Sequence, residues 1–163
     1  YYVFIYEDVY CPFCAKFYKE TLPKLEPFID NGTIAIIHKN FIVHEEAYDI
    51  HRYIVAMYLE HRNGTQVFMT MEKLYEKAMK KHKISIEDVK EVIKEVSGSI
   101  PTIENISNEV VNIIKSDSVE ALRYGIGGTP GFIIWNRALD YGIVFAGFRD
   151  FDTFIKILNS LES

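Results

Sequence analysis

The sequence predicts an α/β fold in which a strand–helix–strand unit and a closing strand–strand–helix unit flank a block of helices. Three observations carry this. The chain opens and closes on short apolar runs rich in β-branched and aromatic residues, the composition of buried strands. From His44 to Tyr124 the apolar period changes from about 2 residues to about 3.6. Cys11-Pro12-Phe13-Cys14 follows the first run, and Gly127-Gly128-Thr129-Pro130-Gly131 precedes the closing pair.

Tyr1–Tyr6 reads as the first strand, followed by a short acidic turn at Glu7-Asp8. Pro12 suits the first turn of a helix, where a missing N–H costs nothing. Phe17, Tyr18, Leu22 and Leu25 continue that helix, with a kink expected at Pro23. Asn31-Gly32 is a turn signal, and residues 33–38 make a second buried strand. A strand, a helix and a strand in this order imply parallel strands with a right-handed crossover. In the helical block, Ala47, Ile50, Tyr53, Ile54 and Met57 share one helix face, ending near Asn63-Gly64. A second helix runs near residues 66–80. Ser85 with Asp88 is a capping-box pattern, with Gly98 as the stop. A further helix is expected over about residues 103–115, and a short one opened by Asp117 and Glu120 that stops at Gly125. Residues 131–135 and 142–146 form a hairpin, and Asp150 caps a last helix through Phe154, Ile155 and Leu158.

With 163 residues the chain is long enough for one well-filled domain with an insertion. Its net charge of −5 favours no nucleic-acid partner. The apolar and charged fractions of 48% and 25% exclude intrinsic disorder. No run approaches the roughly 18 apolar residues that a membrane span needs. The buried character of Tyr1–Tyr6 leads us to expect an upstream segment, such as a signal peptide or an anchor.

The chemistry centres on the only two cysteines, Cys11 and Cys14. A helix start presents free N–H groups and the positive end of a dipole, so a thiolate at Cys11 is favoured, and the thiolate is what attacks disulfides. Cys14, one turn inward, can reach Cys11 but is poorly placed to meet a substrate first. Two other readings stand beside this one. The thiols could be buried and inert, or they could form half of a zinc site with two of His38, His44, His51, His61 and His82, since no second cysteine pair supplies four ligands. Thr129-Pro130, directly before a strand, belongs to a tight turn of the kind in which cis X–Pro bonds occur.

Taken together, the strand–helix–strand unit with C-P-F-C and the strand–strand–helix unit opened by Thr-Pro resemble the thioredoxin superfamily. The intervening helices narrow the resemblance to the DsbA-like thiol–disulfide oxidoreductases. Its sharpest pieces are residues 8–14 and 124–132. The resemblance implies a thioredoxin-like domain formed by residues 1–38 and 129–163, with residues 39–128 as an inserted helical domain. It implies Cys11 as the exposed nucleophile, Cys14 as the resolving thiol and Pro130 as a cis-proline facing them. Pro12, Phe13 and Thr129 would support the site, and Phe13, Gly128, Thr129 and Pro130 would receive an extended substrate. The implied activity forms, reduces or isomerises protein disulfides with no metal or other cofactor. Its partners are protein or peptide thiols and disulfides, and a redox partner, commonly a membrane oxidoreductase. The competing classes are a thiolate metallochaperone and a redox-inert peptide-binding module. A monomer is expected.

Two departures from the family pattern stand out. Relatives often carry a buried acid six positions before the first cysteine; Ile5 occupies that place here, with Glu7 and Asp8 expected on the loop. The family's extra strand before the active-site strand is absent. Strong oxidases of the family commonly have His between the cysteines, where this chain has Phe13, so an intermediate potential is expected. The compartment implied is extracytoplasmic. A single glutamine, Gln66, among many Ile, Lys and Glu hints at a heat-adapted source, where cytoplasmic disulfide chemistry also occurs. The sequons at Asn31, Asn63 and Asn105 occur at chance frequency, and no glycosylation is read from them.

Overall fold

The computed structural model describes residues 1–102 and 108–162. Its elements are β1 (Tyr2–Glu7), α1 (Pro12–Glu20), α2 (Leu22–Asp30), β2 (Ala35–Asn40), α3 (Ala47–His61), α4 (Gly64–Lys81), α5 (Ile86–Ser97), α6 (Asn108–Arg123), β3 (Gly131–Asn136), β4 (Tyr141–Ala146) and α7 (Phe151–Ser160). One sheet runs in the order β2-β1-β3-β4. β1 and β2 are parallel, whereas β3 is antiparallel to both β1 and β4. This is the predicted α/β arrangement, a thioredoxin-like sheet with helices α3–α6 placed between its second and third strands.

The alternation of β1 divides its side chains between two faces. Val3 and Ile5 join Phe17 and Leu25 of α1 and α2, Phe132 and Ile134 of β3, and Phe154 of α7 in the main core. Phe17, Phe132, Phe145 and Phe154 pack as one aromatic group with ring centroids 5.0–6.4 Å apart, and burying each ring contributes about 1.5–3 kcal/mol. On the other face, Tyr6 packs with Ala121 and Ile126, and the Tyr6 hydroxyl donates to Glu120 of α6.

Three expectations are corrected in detail. The first helix is broken rather than kinked. α1 ends at Glu20 and α2 restarts at Leu22, with Pro23 in its first turn, where Pro is tolerated. The second strand begins two residues later than expected, at Ala35. Asp117 and Glu120 open no helix, because both lie inside the continuous α6. Asp117 is used in tertiary contacts instead: Oδ2 accepts from the backbone N–H and the Nδ2 of Asn40, and Oδ1 accepts from Lys39 Nζ at 3.1 Å. The expected helix start near residue 103 and the Asn105 sequon lie outside the described residues. Local capping follows the sequence where its signals are strong. Ser85 and Asp88 form the reciprocal capping box, Gly98 takes the left-handed conformation, and Asp150 accepts from Thr153 N–H. No helix among the described residues is long and apolar enough to cross a membrane.

Candidate active site

Cys11 is the N-cap of α1, and Pro12 is its first residue. Cys11 Sγ accepts from the Cys14 N–H at 3.3 Å, one of the free donors of the helix start. As a thiol it donates to the Thr129 carbonyl oxygen at 3.3 Å, so the structure brings together the two sequence segments that carry the chemistry. Gly128, Thr129 and Pro130 lie in the turn before β3, and the Thr129–Pro130 bond is cis. Gly131 follows because the backbone closes on Ile126: a Cβ there would run into the Ile126 side chain.

The two sulfurs are pushed in opposite directions. Cys11 is lowered to about 6, first by the hydrogen bond from the Cys14 thiol, and further by the Thr129 side chain and the N–H groups of Cys14 and Phe13, all against the cost of burial. Burial pushes the Cys14 thiol up, and the neighbouring Cys11 and Glu7 add to the rise. Cys11 is also less open than a freely exposed nucleophile. Its residual exposure is 4%, against 1% for Cys14. It borders a small cleft of about 290 Å³ between the start of α1 and the end of α4, lined also by Tyr10, Met79 and His82. Phe13, by contrast, is 58% exposed. It stands at the mouth of a groove of about 750 Å³ between α1 and α4 that ends near Met79 and Lys80.

Glu7 is not on a loop. It is the last residue of β1, and it continues the inward series Val3, Ile5, Glu7. Its carboxylate is fully buried and fully bonded: Oε1 accepts from Tyr18 Oη at 2.8 Å and lies 2.6 Å from His38 Nδ1, and Oε2 accepts from Tyr75 Oη at 2.8 Å. Three elements, α1, β2 and α4, thus converge on one acid close enough to Cys14 to raise its pKa. Asp8, also buried, has a different task. It accepts from the N–H groups of Tyr10, Val43 and His44 and holds the active-site turn to the segment after β2. Tyr10 Oη ties the same turn to Ile84, accepting from its N–H and donating to its carbonyl.

The histidines are dispersed. His38 and His51 flank Asn40, His44 lies 3.3 Å from Asp8, His61 contacts Ser99, and His82 caps α4. Among the described residues, no group of three or more His, Cys, Asp or Glu side chains is placed to hold a metal ion.

His51 has a testable consequence for stability. Its Nε2 accepts from Val9 N–H at 3.1 Å, so the ring is neutral, with its hydrogen on Nδ1 directed at Asn40 Oδ1. Burial holds its pKa well below 6.5. Above that pH both native and unfolded chains are neutral here. As pH falls below it, the unfolded chain takes up a proton that the native state refuses, so stability is lost. Urea unfolding at a series of pH values should show a shallower loss between about pH 6.5 and about pH 5 in His51→Gln than in the wild type, the difference approaching about 1.4 kcal/mol per pH unit. The variant should also start roughly 1–3 kcal/mol lower because of its imperfect hydrogen bonds.

Comparison with known proteins agrees with this architecture. The family model described as Thioredoxin (Thioredoxin_4) matches residues 2–153. The chain belongs to the thioredoxin family. Among solved structures, ScsC of Proteus mirabilis in a compact conformation superposes with a TM-score of 0.74 at 17% identity, over 98% of this chain and 81% of that one. The α-DsbA1 of Wolbachia pipientis gives 0.76 at 17% identity, over 98% and 84%. DsbA2 of Pseudomonas aeruginosa gives 0.67 at 16% identity, over 98% and 87%. This thioredoxin-family chain therefore has a DsbA-like fold, with the helices α3–α6 in the place that the resemblance implies. No curated protein matches the chain by sequence.

Proposed function

We propose that the protein is a thiol–disulfide oxidoreductase acting on protein disulfides through Cys11 and Cys14. The observation that carries this is the split between the two sulfurs: a thiolate favoured at Cys11 and a thiol held protonated at Cys14, three residues away. Reduction of a substrate begins with attack of the Cys11 thiolate on a substrate S–S bond. A mixed disulfide forms, and one substrate sulfur leaves as a thiolate. Cys14 then loses its proton and attacks Cys11 Sγ, releasing the second substrate sulfur and leaving Cys11–Cys14 as the disulfide. Substrate oxidation is the same sequence in reverse, and a partner oxidoreductase resets the pair. The thiolate at Cys11 needs no metal or organic cofactor to react.

Substrate contact is assigned to the Gly128-Thr129-Pro130 turn, the exposed Phe13 ring and the groove running from it to Met79. Lining of this kind suits an extended chain with apolar side chains near its cysteine. The active compartment proposed is extracytoplasmic. A glutathione redox series with counting of free thiols tests the assignment. Two thiols should disappear together, without bound metal. Stoichiometric metal that blocks the cycle would instead make the pair a metal carrier.

The same titration measures the potential. A Cys11 value of about 6 lies between those of thioredoxin, near 7, and DsbA, near 3.5. The potential should accordingly fall between about −270 mV and about −120 mV. Phe13→His places a hydrogen-bond donor beside the Cys11 thiolate, stabilises the reduced form and should raise the potential by roughly 30 mV, equivalent to about 1.4 kcal/mol. A fall, or no change, would mean that the residue between the cysteines does not set the potential here.

A further inference from the structure

Attack by Cys11 leaves a substrate sulfur that needs a proton, and Phe13, the residue usually placed to help, has none to give. Cys11 meets the Thr129 carbonyl oxygen at 3.3 Å and, separately, borders the cleft of about 290 Å³ between the start of α1 and the end of α4. No residue of the Gly128-Thr129-Pro130 turn lines that cleft. His82 does, and its ring makes no hydrogen bond among the described residues. Apart from Cys11, the remaining lining is apolar except for Tyr10 and Tyr75. Their hydroxyls are committed elsewhere, that of Tyr10 to Ile84 and that of Tyr75 to Glu7 and the Asp8 carbonyl.

The place of His82 is fixed from both directions along the chain. Its backbone N–H donates to the Ala78 carbonyl at 2.9 Å, and its φ of 59° closes α4 in a left-handed turn. Two residues on, the N–H and carbonyl of Ile84 both bond the Tyr10 hydroxyl, and Tyr10 directly precedes Cys11. The Tyr10–Ile84 contact thus staples the active-site turn to the connection between α4 and α5, with Cys11 and His82 bordering one cleft. His82 is itself exposed, so its ring exchanges protons with water.

We propose that His82 is a catalytic acid–base residue for the substrate's own sulfur, giving it a proton as it departs and taking the proton of a substrate thiol in the reverse direction. This rests on the oxidoreductase function proposed above.

In reduction, the Cys11–substrate bond forms and the substrate S–S bond breaks. Its electron pair goes to the departing sulfur, which takes the proton of the His82 imidazolium. The neutral ring regains a proton from water at the open side of the cleft. In oxidation, the neutral ring removes the proton of a substrate thiol, and that sulfur attacks Cys11 Sγ. The electron pair of the Cys11–Cys14 bond then goes to Cys14. Proton transfer needs direct contact or one bridging water. A water takes up about 30 Å³ of liquid, so the cleft has room for a cysteine side chain and such a water. The gain is specific to alkyl thiols. Their pKa is about 8.5, which makes them slow to leave unprotonated, whereas a sulfur of low pKa leaves unaided. The titratable groups that share the cleft with His82 are Cys11, Tyr10 and Tyr75. Lys80, Lys81 and Lys83 flank it along the chain, and Asp88 of α5 is taken by Lys81 and Ser85.

The test gives the reduced full chain two disulfides, oxidised glutathione and an aromatic disulfide whose thiolate is stable without a proton at neutral pH. The readout is the ratio of the glutathione rate constant to the aromatic one, because ionisation of Cys11 affects both and cancels. In the wild type the ratio should be largest in mild acid and fall by at least about tenfold from pH 5 to pH 8, the interval over which histidine side chains lose their charge. His82→Asn keeps a residue that accepts the left-handed turn. It should lower the ratio at pH 6 by at least about tenfold and make it independent of pH. His82→Lys keeps a positive charge but holds its proton, and should be as deficient as His82→Asn. A wild-type ratio that does not change with pH overturns the proposal without need of any variant. Equal losses on both disulfides in His82→Asn overturn it as well, because a structural role would slow both. A ratio retained by His82→Lys makes the residue a charge rather than an acid, and also overturns it. Each of these results leaves the oxidoreductase function standing. Failure of the wild type to reduce either disulfide overturns both.

Discussion

Cys11→Ser should abolish reduction of insulin disulfides and oxidative refolding of a reduced substrate, whereas Cys14→Ser should retain attack and accumulate mixed disulfides. The asymmetry follows from the positions of the sulfurs. Cys11 caps a helix whose free N–H groups favour its thiolate, and with a pKa near 6 it is mostly ionised at neutral pH. Cys14 is buried one turn further in, and its thiol is pushed up. A serine at position 11 offers an alkoxide that does not form at neutral pH, so the loss should be at least about a thousandfold, the scale expected when the reacting nucleophile itself is removed. In Cys14→Ser, Sγ of Cys11 loses the thiol hydrogen bond that does most to lower it. Attack should continue, with its pH dependence displaced upward. Trapped adducts are to be counted by mass spectrometry, and iodoacetamide at about pH 6 should label Cys11 well before Cys14 in the wild type. Preferential labelling of Cys14 would reverse the roles.

Most of the sheet and its flanking helices was legible because the signals were local. The Ser85–Asp88 box, the Asp150 cap and the Asn-Gly turn act within a few residues of where they occur, and the switch from alternating to helical periodicity marks where the strands stop. The errors came from non-local causes. Asp117 looks like an N-cap in sequence, but its oxygens are taken by Lys39 and Asn40 of β2, leaving the helix to run through it. Pro23 signals a disturbed helix without saying whether it bends or restarts.

The buried acid shows the same limit more sharply. The resemblance directed attention six positions before Cys11, to Ile5, while Glu7 looked like the first residue of a polar turn. The alternation Val3-Ile5-Glu7 was the available signal, since a strand that buries the first two side chains buries the third. What sequence alone did not contain was the set of partners that makes such burial tolerable. Tyr18, His38 and Tyr75 lie 11, 31 and 68 residues away and meet only in the fold.

That convergence makes Glu7→Gln the substitution with the largest expected effect on stability. The carboxylate accepts from the hydroxyls of Tyr18 and Tyr75 and pairs with the His38 ring, whose pKa it raises. Glutamine keeps the shape but replaces one acceptor oxygen with a donor and removes the charge. One of Tyr18, Tyr75 or His38 then points a hydrogen at another hydrogen, and the histidine loses its counter-charge in a place water barely reaches. Breaking one side of a buried ion pair costs about 3–5 kcal/mol, a large share of the roughly 5–15 kcal/mol that holds a domain together. The loss should depend on pH, and its sign is set by His38. Burial lowers its pKa, but Glu7 outweighs burial and raises it, so the pair's contribution is fully present below about pH 6.5 and fades as pH rises through the native value of His38. Urea unfolding should therefore show the wild type and Glu7→Gln furthest apart in mild acid and closer together in base. A gap that instead widened with rising pH would mean that His38 is neutral in the native protein. An unchanged midpoint at every pH would mean that the buried carboxylate contributes nothing that an amide cannot replace.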